Sequence, residues 1–111
     1  MIGGNARATI QIKTTAKNSI GEAELMWVDK QTLTGWLDFM SGEAKTTTYN
    51  SKIEESSHVF VADYLELDAS IKNDNSRMVV DGQTYEIKFI DDPMGLHRQL
   101  EIFLAYTGGQ R

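Results

Sequence analysis

His58 and His97 are the chain's only imidazoles, so a neutral-pH general base or a histidine metal ligand would have to involve one of them. Neither stands in a metal-ligand spacing. His58 opens an apolar run after a polar stretch, and His97 sits beside Arg98 after Pro93-Met94-Gly95; both read as structural or solvated. Asp91-Asp92 offers oxygen ligands for a cation, but an aspartate before Pro93 is a common turn former. Glu54-Glu55 is an acid pair in a polar segment, where consecutive carboxylates are ordinarily solvated. The acids and amides from Asp68 to Asp81 lack the EF-hand spacing and its central glycine. Gly3-Gly4 and Gly108-Gly109 lie at opposite ends of the chain without a strand-to-helix context, and no G-x-S-x-G elbow occurs. Trp27, Trp36 and Tyr85 could stack on bases, yet strand positions in a small domain favour the core. An enzyme is not expected, and neither is a cofactor or a metal.

The bulk properties agree. At 111 residues the chain fits one domain, 1–111, with 41% hydrophobic and 24% charged residues, an ordinary globular composition. With 0 Cys there is no disulfide framework, zinc–thiolate site or thiol nucleophile. No apolar run approaches the roughly 20 residues that span a bilayer. The stretch from Met1 to Arg7 lacks the apolar core of a secretory signal, so synthesis in a reducing cytoplasm is expected. A net charge of −5 repels phosphate backbones and anionic membranes on average, and the lysines are scattered along the chain.

The elements that would position any site read as strands. Arg77 to Ile90 is a β-hairpin closed by Asp81-Gly82, since a type I′ turn needs positive φ at both central positions. The register follows: Val80 faces Gln83, Val79 faces Thr84 and Met78 faces Tyr85, with Met78, Val80, Tyr85, Ile87 and Phe89 on one face. Thr9 to Lys13, Glu22 to Val28, Leu33 to Met40, His58 to Tyr64 and Leu100 to Tyr106 complete the set, with a polar turn region from Thr14 to Gly21. His58 to Tyr64 is apolar on both faces, as a central strand requires.

Other segments break the rhythm. Residues 41–57 are long, polar and rich in Ser and Thr, with Ala44, Tyr49 and Ile53 apolar, and read as a long mobile loop. Leu65 to Ser76 could contain one short helical turn, capped at Asp68 and broken by Asn73 to Ser76. The tail, 107–111, is expected to fray. The fold class is mainly β: a small antiparallel β-barrel-like domain with a long loop and room for one short helix.

The sequence also resembles a known family. Arg77-Met78-Val79-Val80-Asp81-Gly82-Gln83-Thr84-Tyr85-Glu86-Ile87, followed by Ile90-Asp91-Asp92-Pro93 and Leu100-Glu101-Ile102, is similar to the C-terminal signature of tailed-bacteriophage head–tail joining proteins, the head-closure or connector proteins. Arg7 to Ile12 resembles the family's opening strand. Trp27, the Trp36 to Met40 strand with Ser41-Gly42 after it, and Ser57 to Val61 follow in the family's order. Two features depart from the pattern: Leu65 to Ser76 is longer and more acidic than the usual connection, and the basic run after Asp-Pro is reduced to His97-Arg98.

The resemblance implies a structural protein of a phage or prophage. Such a protein docks on the portal or adaptor side of a filled head, extends the DNA channel, helps to retain packaged DNA and presents a platform to a tail-side connector or tail-completion protein. It implies a dodecameric ring in the particle, built from a chain that is monomeric when free, at the virion head–tail interface after assembly in the host cytoplasm. DNA would pass through without specific binding, and no membrane is involved. The resemblance makes residues 41–57 the assembly loop, with Ser41, Gly42, Tyr49, Ile53, Glu54 and Glu55 as partner contacts, while Asp81, Gly82, Asp92 and Pro93 serve as structural turns. The alternative is a small β-barrel binding module of OB or SH3 type, taking a peptide or nucleic acid.

Overall fold

A computed structural model describes residues 4–39, 56–72 and 74–110, with the backbone alone for 108–110. The described residues form six strands, β1 (Ala6–Lys17), β2 (Ala23–Phe39), β3 (His58–Asp63), β4 (Ser76–Val80), β5 (Gln83–Asp91) and β6 (Gln99–Gln110), and a 3-10 turn at Pro93–Gly95. All pairings are antiparallel, and the order β1-β2-β3-β6-β5-β4 closes because β4 returns to β1. The fold is therefore mainly β and barrel-like, with its edges joined into a ring.

Alternation builds the core. Ala8, Ile10, Phe60, Met78, Ile102 and Leu104 are fully buried, while their sequence neighbours mostly point outward. At Gly35 a Cβ would lie 2.2 Å from the Val61 carbonyl oxygen and 2.9 Å from the Phe60 ring, so β2 and β3 approach more closely than any side chain would allow. The β4–β5 register pairs Val80 with Gln83, Val79 with Thr84 and Met78 with Tyr85. Asp81 and Gly82 have φ of 51° and 79°, both in the left-handed region.

The ring differs from the sequence expectation in several places. The expected strands Glu22 to Val28 and Leu33 to Met40 are not separate: Ala23–Phe39 forms one strand, β2, whose 17 residues run on past a bulge opposite Ile10 and Gln11. β1 extends to Lys17 in step, so the polar turn shrinks to Asn18–Gly21 and the two strands project as a ribbon beyond the barrel. Leu25, Met26 and Val28 are exposed there because no opposite wall covers either face of the ribbon. A second bulge between Ile87 and Phe89 turns Phe89 outward and lets Ile90 pack on the core instead.

The short helix is also elsewhere. β3 and β4 lie across the ring from each other, so the chain between them crosses the barrel end. Its described residues form no helix but a hydrogen-bonded turn at 68–71 (Ile71 N–H to the Asp68 carbonyl, 3.0 Å; Ser70 N–H to Asp68 Oδ1, 2.9 Å), and Leu65, Leu67 and Ile71 pack against the core. Gln31 fixes this strap: its amide donates to the Glu66 carbonyl (3.2 Å), and its Oε1 accepts from the Asp68 N–H (2.9 Å). The 3-10 turn falls at Pro93–Gly95 instead, where proline presets φ. β6 continues into the tail as far as Gln110, paired with Gln83 of β5.

Candidate interaction surfaces

The described residues stop at Phe39 and resume at Ser56, so of the expected loop 41–57 only Ser56 and Ser57 are placed. Its partner-contact candidates Ser41, Gly42, Tyr49, Ile53, Glu54 and Glu55 lie outside the described residues. Where it departs, edge contacts link a row of rings: Phe39 to His58 (4.9 Å between centroids), His58 to Tyr85 (5.2 Å) and Tyr85 to Tyr106 (5.4 Å). Phe39 is 79% exposed and Tyr106 44%, so the row runs from the core to open surface. Ser57 Oγ is 2.8 Å from His58 Nδ1 and accepts from the Tyr106 N–H at 3.0 Å. Burial holds the His58 pKa below its ordinary 6.5, and it pushes the Tyr85 phenol up, helped by Tyr106 and Asp81. A neutral imidazole among rings is suited to packing.

The opposite end carries the Asp92–Pro93 turn. Asp92 accepts from the His97 N–H through Oδ1 (2.9 Å), and its Oδ2 contacts His97 Nδ1. Tyr64 covers the His97 ring at 4.5 Å. Met94 and His97 have φ of 58° and 55°, so the segment is wound tightly and leaves Met94 89% exposed. Asp92 thus ties a turn together, and among the described residues no group of three metal-binding side chains forms.

A third surface was not visible in the sequence. On the outer wall Gln11 is buried and donates to Asp29 Oδ1 (2.7 Å), while Arg77 Nε donates to Gln11 Oε1 (2.8 Å). The Arg77 guanidinium lies 4.1 Å from the centre of the Trp27 ring. A groove of about 450 Å³ beside it is lined by Lys13, Trp27, Ser76, Arg77, Glu86 and Lys88, among others. Trp27 is accordingly neither core nor a free stacking platform: it is clamped by a cation. The strand order brings four cations near one another, although Glu86 of β5 stands opposite Arg77. β1 and β4 are adjacent and carry Arg7, Lys13, Lys17 and Arg77 with no carboxylate, whereas β3 and β6 carry Asp63 and Glu101 with no Lys or Arg.

Comparison with known proteins completes the picture. The fold matches the solution structure of protein SF1141 from Shigella flexneri 2a, with a TM-score of 0.72, 19% sequence identity and coverage of 97% of this chain and 96% of that chain. At that identity the likeness speaks for the fold alone. No curated protein matches. The sequence itself matches the model of a family described as phage head completion protein over residues 4–105, which takes in all of β1 to β5 and most of β6. By that match the chain belongs to the phage head completion protein family.

Proposed function

We propose that this head component closes the DNA-filled head: it docks on the portal or adaptor side, continues the DNA channel and presents a platform for the tail-side connector. The family match over residues 4–105 carries the reading. The barrel supports it, because strands closed into a ring give a rigid body that leaves assembly to loops and outer walls. In this reading, copies form a ring, dodecameric in the particle, and the segment 41–57 makes the partner contact. Tyr49 and Ile53 are the apolar anchors, with Ser41, Gly42, Glu54 and Glu55 beside them. Phe39 and the ring row at the segment's base extend that contact onto the barrel. DNA passes without a specific grip, as the net charge of −5 favours.

The test uses DNA-filled heads assembled without this protein. Adding the purified chain is expected to protect the packaged DNA from nuclease and to permit tail attachment. Heads that stay equally leaky and tailless in its presence overturn the reading.

A further inference from the structure

Strands β2, β3, β6 and β5 stand next to one another in the ring, and their registers fix what the outer wall presents. Phe60, Ala62, Ile102 and Leu104 point into the core, so the residues that alternate with them point out. One outward row, read across the four strands, is Asp38, Val59, Phe103 and Phe89. The next row is Trp36, Val61, Glu101 and Asp91. The apolar members therefore form one diagonal stripe from Trp36 to Phe89, with Asp38 on one flank and Glu101 and Asp91 on the other. Trp36 is 43% exposed and the rest of the stripe is half-buried, with the Phe89 and Phe103 rings 6.2 Å apart. Gln99 steadies one flank by donating to Glu101 Oε2 (2.6 Å). β3 and β6 carry no Lys or Arg, and Lys88 of β5 is held by Glu86 at 3.4 Å. A contiguous apolar patch rimmed by polar groups marks an interaction site.

We propose that this wall receives a basic amphipathic helix of another protein, its apolar side chains along the stripe and its lysines or arginines over the flanking carboxylates. The stripe crosses four strands, about 15 Å at the usual strand spacing, which is the length of about 10 helical residues. A helix sets apolar groups in one such line at i, i+3, i+4 and i+7 and carries charge along both borders. An extended strand would send alternate side chains away from the wall. Cations are called for because acids border the stripe on both sides, and the same acids repel nucleic-acid phosphates. A second copy does not fit: its described residues contain no α-helix, and its own wall carries the same charge. The surface is separate from residues 41–57, and the proposal stands independently of the head-closure reading.

The test is NMR titration of the full chain with a synthetic helical peptide of about 14 residues, leucines in one line and lysines on both borders, up to about 1 mM. The chain has two tryptophans, so two indole N–H signals report on two surfaces. The Trp36 indole and the amides of Val59, Val61 and Phe103 are expected to shift saturably, while the Trp27 indole stays in place. The same peptide with glutamate for every lysine should not bind. Asp38→Asn with Glu101→Gln should weaken binding by at least about fivefold while melting as the wild type does. Glu22→Gln with Glu24→Gln removes the same charge from the ribbon and should bind as the wild type does. No saturable shift at about 1 mM overturns the proposal, as does equal binding of the glutamate peptide. Equal weakening in the ribbon variant would reduce the effect to bulk charge and overturn it too. Shifts centred on Trp27 would place the peptide elsewhere, and a Trp36 signal that moves with protein concentration alone would make a second copy the occupant; either result overturns it.

Discussion

The Arg77 guanidinium lies 4.1 Å from the centre of the Trp27 ring, while its Nε holds the buried side chain of Gln11. Trp27 belongs to the ribbon that projects from the barrel and Arg77 to β4 in its wall, so this contact ties the two together. A two-stranded ribbon is at best marginal in water by itself. Trp27→Ala and Arg77→Met should therefore be coupled by about 0.5–1 kcal/mol in a double-mutant cycle of thermal or denaturant melts. Amide exchange in Leu25 to Val28 should accelerate in either single variant. Purely additive melts would mean that the stacking carries no energy.

At the hairpin tip the limit is backbone conformation. A Cβ on Gly82 would meet nothing within 4 Å, yet φ is +79°. Gly82→Val should cost at least about 1 kcal/mol, because a β-branched residue is forced into the left-handed region. Gly82→Asn should cost much less, since asparagine tolerates that region. Equal melting of the wild type and the valine variant would contradict the turn geometry.

Gly35 presents the converse case. There the obstacle is space, with the Val61 carbonyl oxygen 2.2 Å from the point an alanine methyl would occupy. Gly35→Ala should destabilise by about 1–3 kcal/mol or prevent folding, because β2 and β3 would have to move apart around Phe60. A variant that melts together with the wild type would show that the two strands separate freely.

His58 should make stability depend on pH. Its folded pKa is held below the unfolded value of 6.5 by burial, so the unfolded chain binds the proton more readily. The contribution is fully present above pH 6.5 and is lost as pH falls through the folded value. His58→Gln should flatten that part of the stability profile. NMR titration of the imidazole checks the cause directly: a midpoint at or above 6.5 would remove it.

The proposed assembly role of residues 41–57 predicts that fold and function separate there. Tyr49→Ala with Ile53→Ala should then leave thermal melting within about 0.5 kcal/mol of the wild type, since the proposed role assigns both side chains to partner contact. The same variant should fail to complete DNA-filled heads. Completion at the wild-type level would move the contact to the barrel walls.

Features that depend on near neighbours along the chain were legible in residue order alone. Asp81-Gly82 set the turn, the turn set the register of Met78 opposite Tyr85, and alternation in Leu100, Ile102 and Leu104 set the inward face of β6. The same local pattern marked a β protein and carried the family signature. Bulges were not legible, because one extra residue leaves the alternation almost intact while exchanging Phe89 for Ile90 at the core. Nor was the crossing from β3 to β4 over the barrel end, which is imposed by the distance between those strands in the ring and not by propensity. The groove shared by Lys13, Trp27 and Arg77 came from the closed sheet. Lys13 and Arg77 are far apart in sequence, and they share one wall because β4 closes the ring against β1. Pattern along a strand is local, whereas strand order is a property of the whole barrel, and the candidate interaction surfaces are written in that order.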